Sequence, residues 1–130
     1  MSNVPTDRRY TAEHEWAQKD GVDIVIGITD HAQSALGDVV FLELPEMGRS
    51  MSAGKTFGVV ESVKAVSDLY APLDAEVLAV NDALVAAPDA INKDCYGAGW
   101  MLRVKAKNPA DFDQLLDAAA YQSLLSQIAK

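Results

Sequence analysis

The stretch of sequence that decides the fold is Val59-Val60-Glu61-Ser62-Val63-Lys64-Ala65-Val66-Ser67-Asp68-Leu69-Tyr70. It is nearly a mirror image about the bond that follows Lys64. This symmetry predicts a β-hairpin with Lys64 at its tip and with Glu61 opposite Asp68, because like residues then face one another across two antiparallel strands. The same register makes two further pairs, Val60 with Leu69 and Val59 with Tyr70.

The residues around the lysine at this tip are unusual for a solvent-exposed lysine that has no function. The turn contains none of the Gly, Asn or Asp residues that two-residue hairpins favour, and valines flank it. Two acids facing each other would also cost stability, a cost that proteins accept at functional positions. Most lysines in turns are plain solvated charges, but these features favour an exposed Lys64 to which an enzyme attaches a cofactor by an amide bond.

Segments with strand character recur at short intervals on both sides of the hairpin. They are rich in β-branched residues and are separated by Gly, Pro, Asn and Asp, a pattern typical of an all-β sandwich or barrel. Most gaps are too short for the crossovers that parallel strands need, so antiparallel sheets are expected. The predicted strands are Val22–Ile28, Val39–Leu44, Thr56–Ser62, Val66–Tyr70, Glu76–Val80 and Met101–Lys105.

Helix signals are local and lie outside these strands. Thr29 predicts the N-cap of a short helix over Asp30–Leu36, and Gly37 supplies its left-handed exit. Near the C-terminus, Asn108 followed by a proline predicts a second helix start. A further helix follows from Asp117, with an apolar stripe at helical spacing formed by Tyr121, Leu124, Leu125 and Ile128. We therefore expect a mainly β fold with short peripheral helices, two of them C-terminal.

The composition is that of one soluble globular domain over residues 1–130. The chain has 11 Lys and Arg against 19 Asp and Glu, a formal net charge of −8. This balance argues against a nucleic-acid partner, which needs a basic face. No apolar run approaches the roughly 20 residues that span a bilayer, and the start of the chain lacks a secretion signal. We expect a cytoplasmic protein, or one of the mitochondrial matrix if a transit peptide was omitted.

Few residues carry chemistry in a recognisable pattern. Cys95 is the only cysteine, which excludes a disulfide within the chain and a thiolate zinc site, and nothing indicates a metal site. There is no recognisable nucleophile–base pair and no phosphate-binding glycine loop, so a complete enzyme is not indicated. Schiff-base chemistry at Lys64 is disfavoured because it needs a desolvated lysine, whereas nearby carboxylates keep the amine protonated.

The lysine segment and several motifs around it carry a family resemblance. The segment Val60–Asp68 resembles the lipoylation segment of glycine cleavage H proteins, and the resemblance runs from about Tyr10 to Leu125. One lysine hairpin would be weak evidence, but several motifs spread over nearly the whole chain are specific. The other similar stretches are His14-Glu15-Trp16, Gly27–Gln33, Leu36-Gly37-Asp38, Glu43-Leu44-Pro45 and Tyr96–Trp100.

The resemblance implies a flattened antiparallel β-sandwich of the lipoyl/biotinyl carrier type, with lipoate attached to Lys64. The protein would be a non-catalytic carrier whose lipoyl arm shuttles an aminomethyl group from glycine decarboxylase (P protein) to the aminomethyltransferase (T protein). Dihydrolipoyl dehydrogenase (L protein) would then reoxidise the arm. Lipoate would be attached by a lipoate ligase, or by an octanoyltransferase together with lipoyl synthase.

Carboxylates near the arm are expected to protect its cargo. An aminomethyl cargo carries a protonated amine, so docking it beside Glu15, Asp68 and Glu13 would favour the cation and slow its loss to water. We also expect the attaching enzyme to read residues close to the lysine. These ligase-recognition residues are Glu61, Val63 and Ala65.

Two positions depart from the family pattern. Ala75 stands where a glycine is common, which puts the turn at Asp74–Ala75 in doubt because alanine resists positive φ. Cys95 stands where proline is usual, and we interpret it as structural. Four other residues are interpreted as packing or surface residues: His14, His31, Trp16 and Trp100.

The lysine hairpin also occurs in other kinds of carrier, and the same fold could serve a relay or a binding module. The lipoyl domain of a 2-oxoacid dehydrogenase is a related carrier, but such domains have flexible Pro/Ala-rich linkers, which do not occur here. Biotin carriers usually have methionines beside the lysine, whereas Val63 and Ala65 flank this one. A lipoyl relay that serves other proteins, or an unmodified binding module, would keep the fold and change the role.

Overall fold

The computed structural model describes residues 3–128, in which nine strands form two antiparallel sheets accompanied by short helices. The strands are β1 Arg9–Tyr10, β2 Glu15–Asp20, β3 Asp23–Ile28, β4 Val39–Glu43, β5 Ser50–Met51, β6 Thr56–Ser62, β7 Val66–Tyr70, β8 Ala75–Val80 and β9 Leu102–Ala106. The helices are α1 Asp30–Leu36, α2 Asp82–Ala86, α3 Ala90–Lys93, a 3₁₀ helix over Pro109–Gln114 and α4 Ala118–Ile128.

The two sheets enclose one main hydrophobic core. The larger sheet has the strand order β1-β2-β3-β9-β8-β5, and the smaller has the order β4-β6-β7. Ile26 and Val104 contribute to the core from the larger sheet, and Leu42, Val60 and Leu69 contribute from the smaller one. The prediction of a mainly β, antiparallel two-sheet fold with two C-terminal helices is confirmed.

The six predicted strands are all present, with ends that move by no more than one residue. Three further strands, β1, β2 and β5, and two short helices, α2 and α3, were not predicted. The strands β1 and β5 have only two residues each, too few for an alternating pattern. The second half of β2 is polar and exposed, so its composition resembles a loop.

The helix caps form as their sequences predict. Thr29 is extended, and its hydroxyl accepts a hydrogen bond from the N–H of Ala32 at 3.2 Å. Asn108 caps the segment that follows it, which is a 3₁₀ helix, and Asp117 caps α4. The longest helix in residues 3–128 is α4, with 11 residues, and no helix there is long and apolar enough to cross a membrane.

A second, smaller core lies under α4. The ring of Tyr121 stacks on that of Tyr10, with centroids 4.7 Å apart and planes 7° from parallel. The indole N–H of Trp16 donates to the carbonyl oxygen of Cys95 at 3.0 Å. Cys95 is buried, and burial raises the pKa of its thiol to about 12. These contacts confirm the structural interpretation of Trp16 and Cys95; Trp100 is half-buried against the same core.

The turn before β8 does not need a glycine. Ala75 is fully buried at the start of β8, and His14 is the one non-glycine residue in the described chain with a positive φ. Asp74 stabilises the turn by accepting a hydrogen bond from the N–H of Ala53 at 2.8 Å. The departure from the family pattern at Ala75 is therefore accommodated without strain.

Candidate functional site

Lys64 is exposed at the tip of the hairpin formed by β6 and β7. The loop consists of Val63 and Lys64, because the N–H of Ser62 donates to the carbonyl of Ala65 at 2.8 Å. The hydroxyl of Ser62 accepts from the N–H groups of Lys64 and Ala65 at 3.3 and 3.1 Å. The N–H of Val63 donates to the carbonyl of Asp38 at 3.1 Å. Serine thus supplies the turn stabilisation that the sequence does not obtain from Gly or Asn.

The strand register of this hairpin differs from the mirror-symmetric one. The prediction that Glu61 faces Asp68 was wrong, because the turn is centred between Val63 and Lys64 and not after Lys64. The register therefore shifts by two residues, which leaves every side chain on its own face of the sheet. The observed pairs are Glu61 with Val66, Val60 with Ser67, Val59 with Asp68, Gly58 with Leu69 and Thr56 with Tyr70. The predicted pairs Val60–Leu69 and Val59–Tyr70 are likewise wrong.

A cavity of about 370 Å³ opens beside the hairpin. It lies between β7, helix α1 and the turn that precedes β2, and it begins at Ala65, the residue after Lys64. Leu36 and Leu69 belong to its apolar wall. The cavity therefore offers an apolar surface directly beside an exposed lysine, which suits a flexible aliphatic arm.

The three carboxylates predicted from the sequence to protect a cargo all line this cavity. Glu13 reaches it from the turn before β2, Glu15 from the start of β2, and Asp68 from β7. Asp68 is more than fifty positions from the other two in the sequence, and the fold brings the three together. Glu13 and Asp68 are exposed, whereas only 2% of Glu15 is exposed.

Glu15 is held in an unusual state. Burial raises the pKa of its carboxyl to about 8, although hydrogen bonds from Thr11 and Tyr70 act in the opposite direction. The Thr11 hydroxyl donates to Oε1 at 2.8 Å, and the N–H of Tyr70 donates to Oε2 at 3.4 Å. Below about pH 8, Glu15 is therefore mainly protonated until a cation approaches. A nearby ammonium group would favour its ionised form.

The residues expected to be read by the attaching enzyme surround the tip. Val63 and Ala65 are exposed on either side of Lys64, and Glu61 is half-buried on β6. Lys64 takes part in none of the ion pairs found among residues 3–128. Its amine is thus accessible and is not tied to a carboxylate.

Two histidines that the sequence led us to interpret as packing or surface residues belong to the cavity wall. His14 and His31 line the cavity, with ring centroids 4.6 Å apart. His14 has a φ of +73°, which is uncommon outside glycine, and burial followed by the charge of His31 lowers the pKa of its imidazole. The one available signal was its position between Glu13 and Glu15. No group of His, Cys, Asp and Glu in residues 3–128 could hold a metal ion.

Residues 8–128 match the family described as Glycine cleavage H-protein. This chain belongs to the glycine cleavage H-protein family. It is 52% identical to the glycine cleavage system H protein of Myxococcus xanthus over 123 residues, which cover 95% of each chain. It is 54% identical over 127 residues to that of Chromohalobacter salexigens, covering 97% of each.

A solved structure of the same family supports the fold. The crystal structure of a glycine cleavage system H protein from Mycobacterium marinum has a TM-score of 0.85 and 41% sequence identity. The match covers 98% of this chain and 100% of that one. The predicted membership of the glycine cleavage H-protein family, with its lipoyl-carrier fold, is confirmed. The chain is a carrier component of the glycine cleavage system, whose other components it serves, and is not itself a catalyst.

Proposed function

We propose that the chain carries lipoate in amide linkage on Lys64 and holds an aminomethyl cargo in the adjacent cavity. The observation that carries this proposal is that a carboxylate-lined cavity begins at Ala65, directly after the exposed lysine. The dithiolane ring would supply the redox and group-transfer chemistry, while the protein supplies presentation and shelter. The apolar wall formed by Leu36 and Leu69 fits an aliphatic arm, and the acids fit a cationic cargo.

The carboxylates would act by keeping the cargo's amine protonated. The amine must lose its proton before its lone pair can expel the sulfur, so a site that favours the cation slows loss of the cargo to water. Asp68 and Glu13 would attract the ammonium group, and Glu15 would ionise as the cation arrives. Because Glu15 is buried, its interaction with a cation is weakly screened by solvent.

The attaching enzyme would recognise the rigid tip through Glu61, Val63 and Ala65. We infer that this enzyme is a lipoate ligase, or an octanoyltransferase acting with lipoyl synthase. The cargo would be received from glycine decarboxylase and delivered to the aminomethyltransferase, and dihydrolipoyl dehydrogenase would reoxidise the arm. We also infer a cytoplasmic site of action, which the bacterial relatives support.

Intact-mass measurement tests the attachment site. The wild-type chain, produced in a host that makes lipoyl proteins, is expected to gain the mass of one lipoyl group. Lys64→Arg keeps the positive charge and should gain none, and it should not support glycine–bicarbonate exchange by the decarboxylase. Lys55→Arg, at another exposed lysine, is the matched control and should behave like the wild type. A modified K64R protein would refute the assignment.

Release of formaldehyde from the loaded carrier tests the role of the cavity acids. The double variant E15Q/D68N removes two carboxyl groups from the cavity wall and is expected to release formaldehyde faster. The double variant E76Q/D82N makes the same chemical change at two exposed acids outside the cavity and should leave the rate unchanged. Equal rates in the two double variants would rule out protection by the cavity acids.

A further inference from the structure

Tyr121 connects two parts of the cavity wall that are distant in sequence. Its side chain is fully buried, and its hydroxyl oxygen lies 2.8 Å from Nδ1 of His14 and 2.7 Å from Oγ1 of Thr29. His14 belongs to the turn before β2, and Thr29 is the N-cap of α1. Both this turn and α1 line the cavity, whereas Tyr121 lies behind them on α4.

The direction of these hydrogen bonds follows from the available donors and acceptors. The Thr29 oxygen already accepts from the N–H of Ala32, so its own proton can be donated to the Tyr121 oxygen. The Tyr121 proton then goes to Nδ1 of His14, which leaves the proton of the neutral imidazole on Nε2. The reverse order would leave the buried Thr29 proton without an acceptor among the described residues, which is costly.

The turn that Tyr121 holds is strained. His14 has a φ of +73°, a conformation that persists when surrounding contacts enforce it. Three contacts do so. The Tyr121 hydroxyl binds its ring, the N–H of Thr29 donates to its carbonyl oxygen at 3.0 Å, and its own N–H donates to the carbonyl of Thr11 at 3.1 Å. The stack on Tyr10 fixes the Tyr121 ring in turn.

We propose that Tyr121 is a positioning residue whose hydroxyl ties the His14 turn to the start of α1 and so keeps the two cavity walls together. This inference rests on the proposed function, since it explains how the wall of the cavity for the cargo is held in place. Without the hydroxyl, the turn and the start of α1 keep the backbone hydrogen bond from Thr29 to His14 but lose the side-chain link through Tyr121. The cavity then opens more often, and the cargo is lost faster.

The pKa of the His14 imidazole depends on its hydrogen bond with Tyr121 and can be used to detect that bond. Its neutral form accepts the Tyr121 proton, and a hydrogen bond to the neutral form disfavours protonation. Removing the Tyr121 hydroxyl is therefore expected to raise the His14 pKa. The other titratable residues that line the cavity with His14 are unchanged by that substitution; they are Glu13, Glu15, His31, whose ring contacts that of His14, and Asp68.

The experiment compares Tyr121→Phe with Tyr10→Phe. Both keep the aromatic stack, but the Tyr10 hydroxyl donates to the carbonyl of Pro5 and does not join the cavity walls. In the unloaded wild type and Y10F, ¹⁵N NMR should show a neutral His14 imidazole with Nδ1 unprotonated and the proton on Nε2. In Y121F it should show mixed tautomers and a raised pKa. The loaded Y121F carrier should release formaldehyde about three- to tenfold faster, the range expected for one buried hydrogen bond, while Y10F stays at the wild-type rate.

An unchanged His14 tautomer in Y121F, or equal release from Y121F and Y10F, would overturn the inference. If a thermal melt shows Y121F to be unfolded, Thr29→Val and Thr29→Ser replace it, since serine keeps the hydroxyl and valine removes it. The valine variant should then release faster, and equal rates would also overturn the inference. Formaldehyde release from E15Q/D68N is measured in parallel. If E15Q/D68N releases formaldehyde faster than the wild type but Y121F does not, the inference about Tyr121 is wrong and the proposed function stands. If E15Q/D68N releases at the wild-type rate, the proposed function itself is refuted.

Discussion

The side chain of Lys64 lies against the backbone of Gly37, with its Cε atom 3.3 Å from the position that a Cβ atom on Gly37 would occupy. Gly37 ends α1 with a φ of +79° and a ψ of −156°, a conformation that side-chain-bearing residues rarely adopt. Leu36, the preceding residue, lines the cavity. The stem of the lysine is therefore supported by the element that forms one cavity wall.

This contact predicts a specific effect of Gly37→Ala on lipoylation. Gly54 is the matched control, because it has a φ of +78° but no atom lies within 4 Å of the position that its Cβ would occupy. Both alanines are strained by the positive φ, at a cost of about 1–3 kcal/mol in the free energy of unfolding. Only G37A also displaces the Lys64 stem, so we expect ligase-catalysed lipoylation to slow several-fold in G37A relative to G54A. Equal rates in the two folded variants would show that the contact is incidental.

The buried carboxyl of Glu15 predicts a pH dependence of stability. Its pKa is about 8 in the folded protein against 4.5 for an unperturbed glutamate. Between these two values the native state holds a proton that the unfolded chain has lost, so stability falls as pH rises. Glu15→Gln removes this effect. The unfolding free energy of the wild type minus that of E15Q should therefore decline from about pH 5 to about pH 8 and then level off.

Urea denaturation at a series of pH values measures this difference directly. The other titrating groups are common to both proteins, so their contributions largely cancel in the subtraction. Asp68→Asn serves as a control at an exposed cavity acid and should not reproduce the decline. A difference that stays flat over this window would mean that Glu15 is already ionised in the unloaded protein.

The sequence predicted the parts of this molecule that depend on local patterns. Short runs of β-branched residues bounded by turn residues located six of the nine strands, and the side-chain caps at Thr29 and Asn108 formed as expected. The hairpin register was predicted wrongly because a near-mirror sequence allows two turn centres. The hydroxyl of Ser62, which accepts two N–H groups inside the turn, selects the one observed.

The candidate site was predictable in part. Lys64 was indicated by the symmetry of its segment and then by the family resemblance, the three acids were proposed from the cargo that the resemblance implies, and the fold brings these acids to one cavity. The raised pKa of Glu15 depends on how deeply the folded chain buries its carboxyl, which no local pattern reveals. Tyr121 was assigned to the apolar stripe of α4, and its polar role arises only because the fold places His14 and Thr29 at its hydroxyl.

The burial of the single thiol predicts that it reacts slowly in the native protein. Cys95 is buried, and burial raises its pKa to about 12, so the reactive thiolate is scarce at neutral pH. We expect iodoacetamide to modify the native protein far more slowly than the protein in concentrated urea. Mass spectrometry over a time course gives both rates. Comparable rates in the two conditions would place the thiol at the surface.

The observed register of the lysine hairpin predicts which engineered disulfide forms. In a Cys95→Ala background, Glu61→Cys with Val66→Cys introduces thiols at directly opposite positions. Such positions have Cα atoms roughly 4.5–5.5 Å apart, within the range that a disulfide requires. Glu61→Cys with Asp68→Cys introduces a diagonal pair roughly 7–8 Å apart, which does not fit without backbone movement. The first variant should therefore oxidise readily in air and the second slowly, as measured by loss of free thiol. The opposite order would restore the mirror-symmetric register, and with it a turn centred after Lys64.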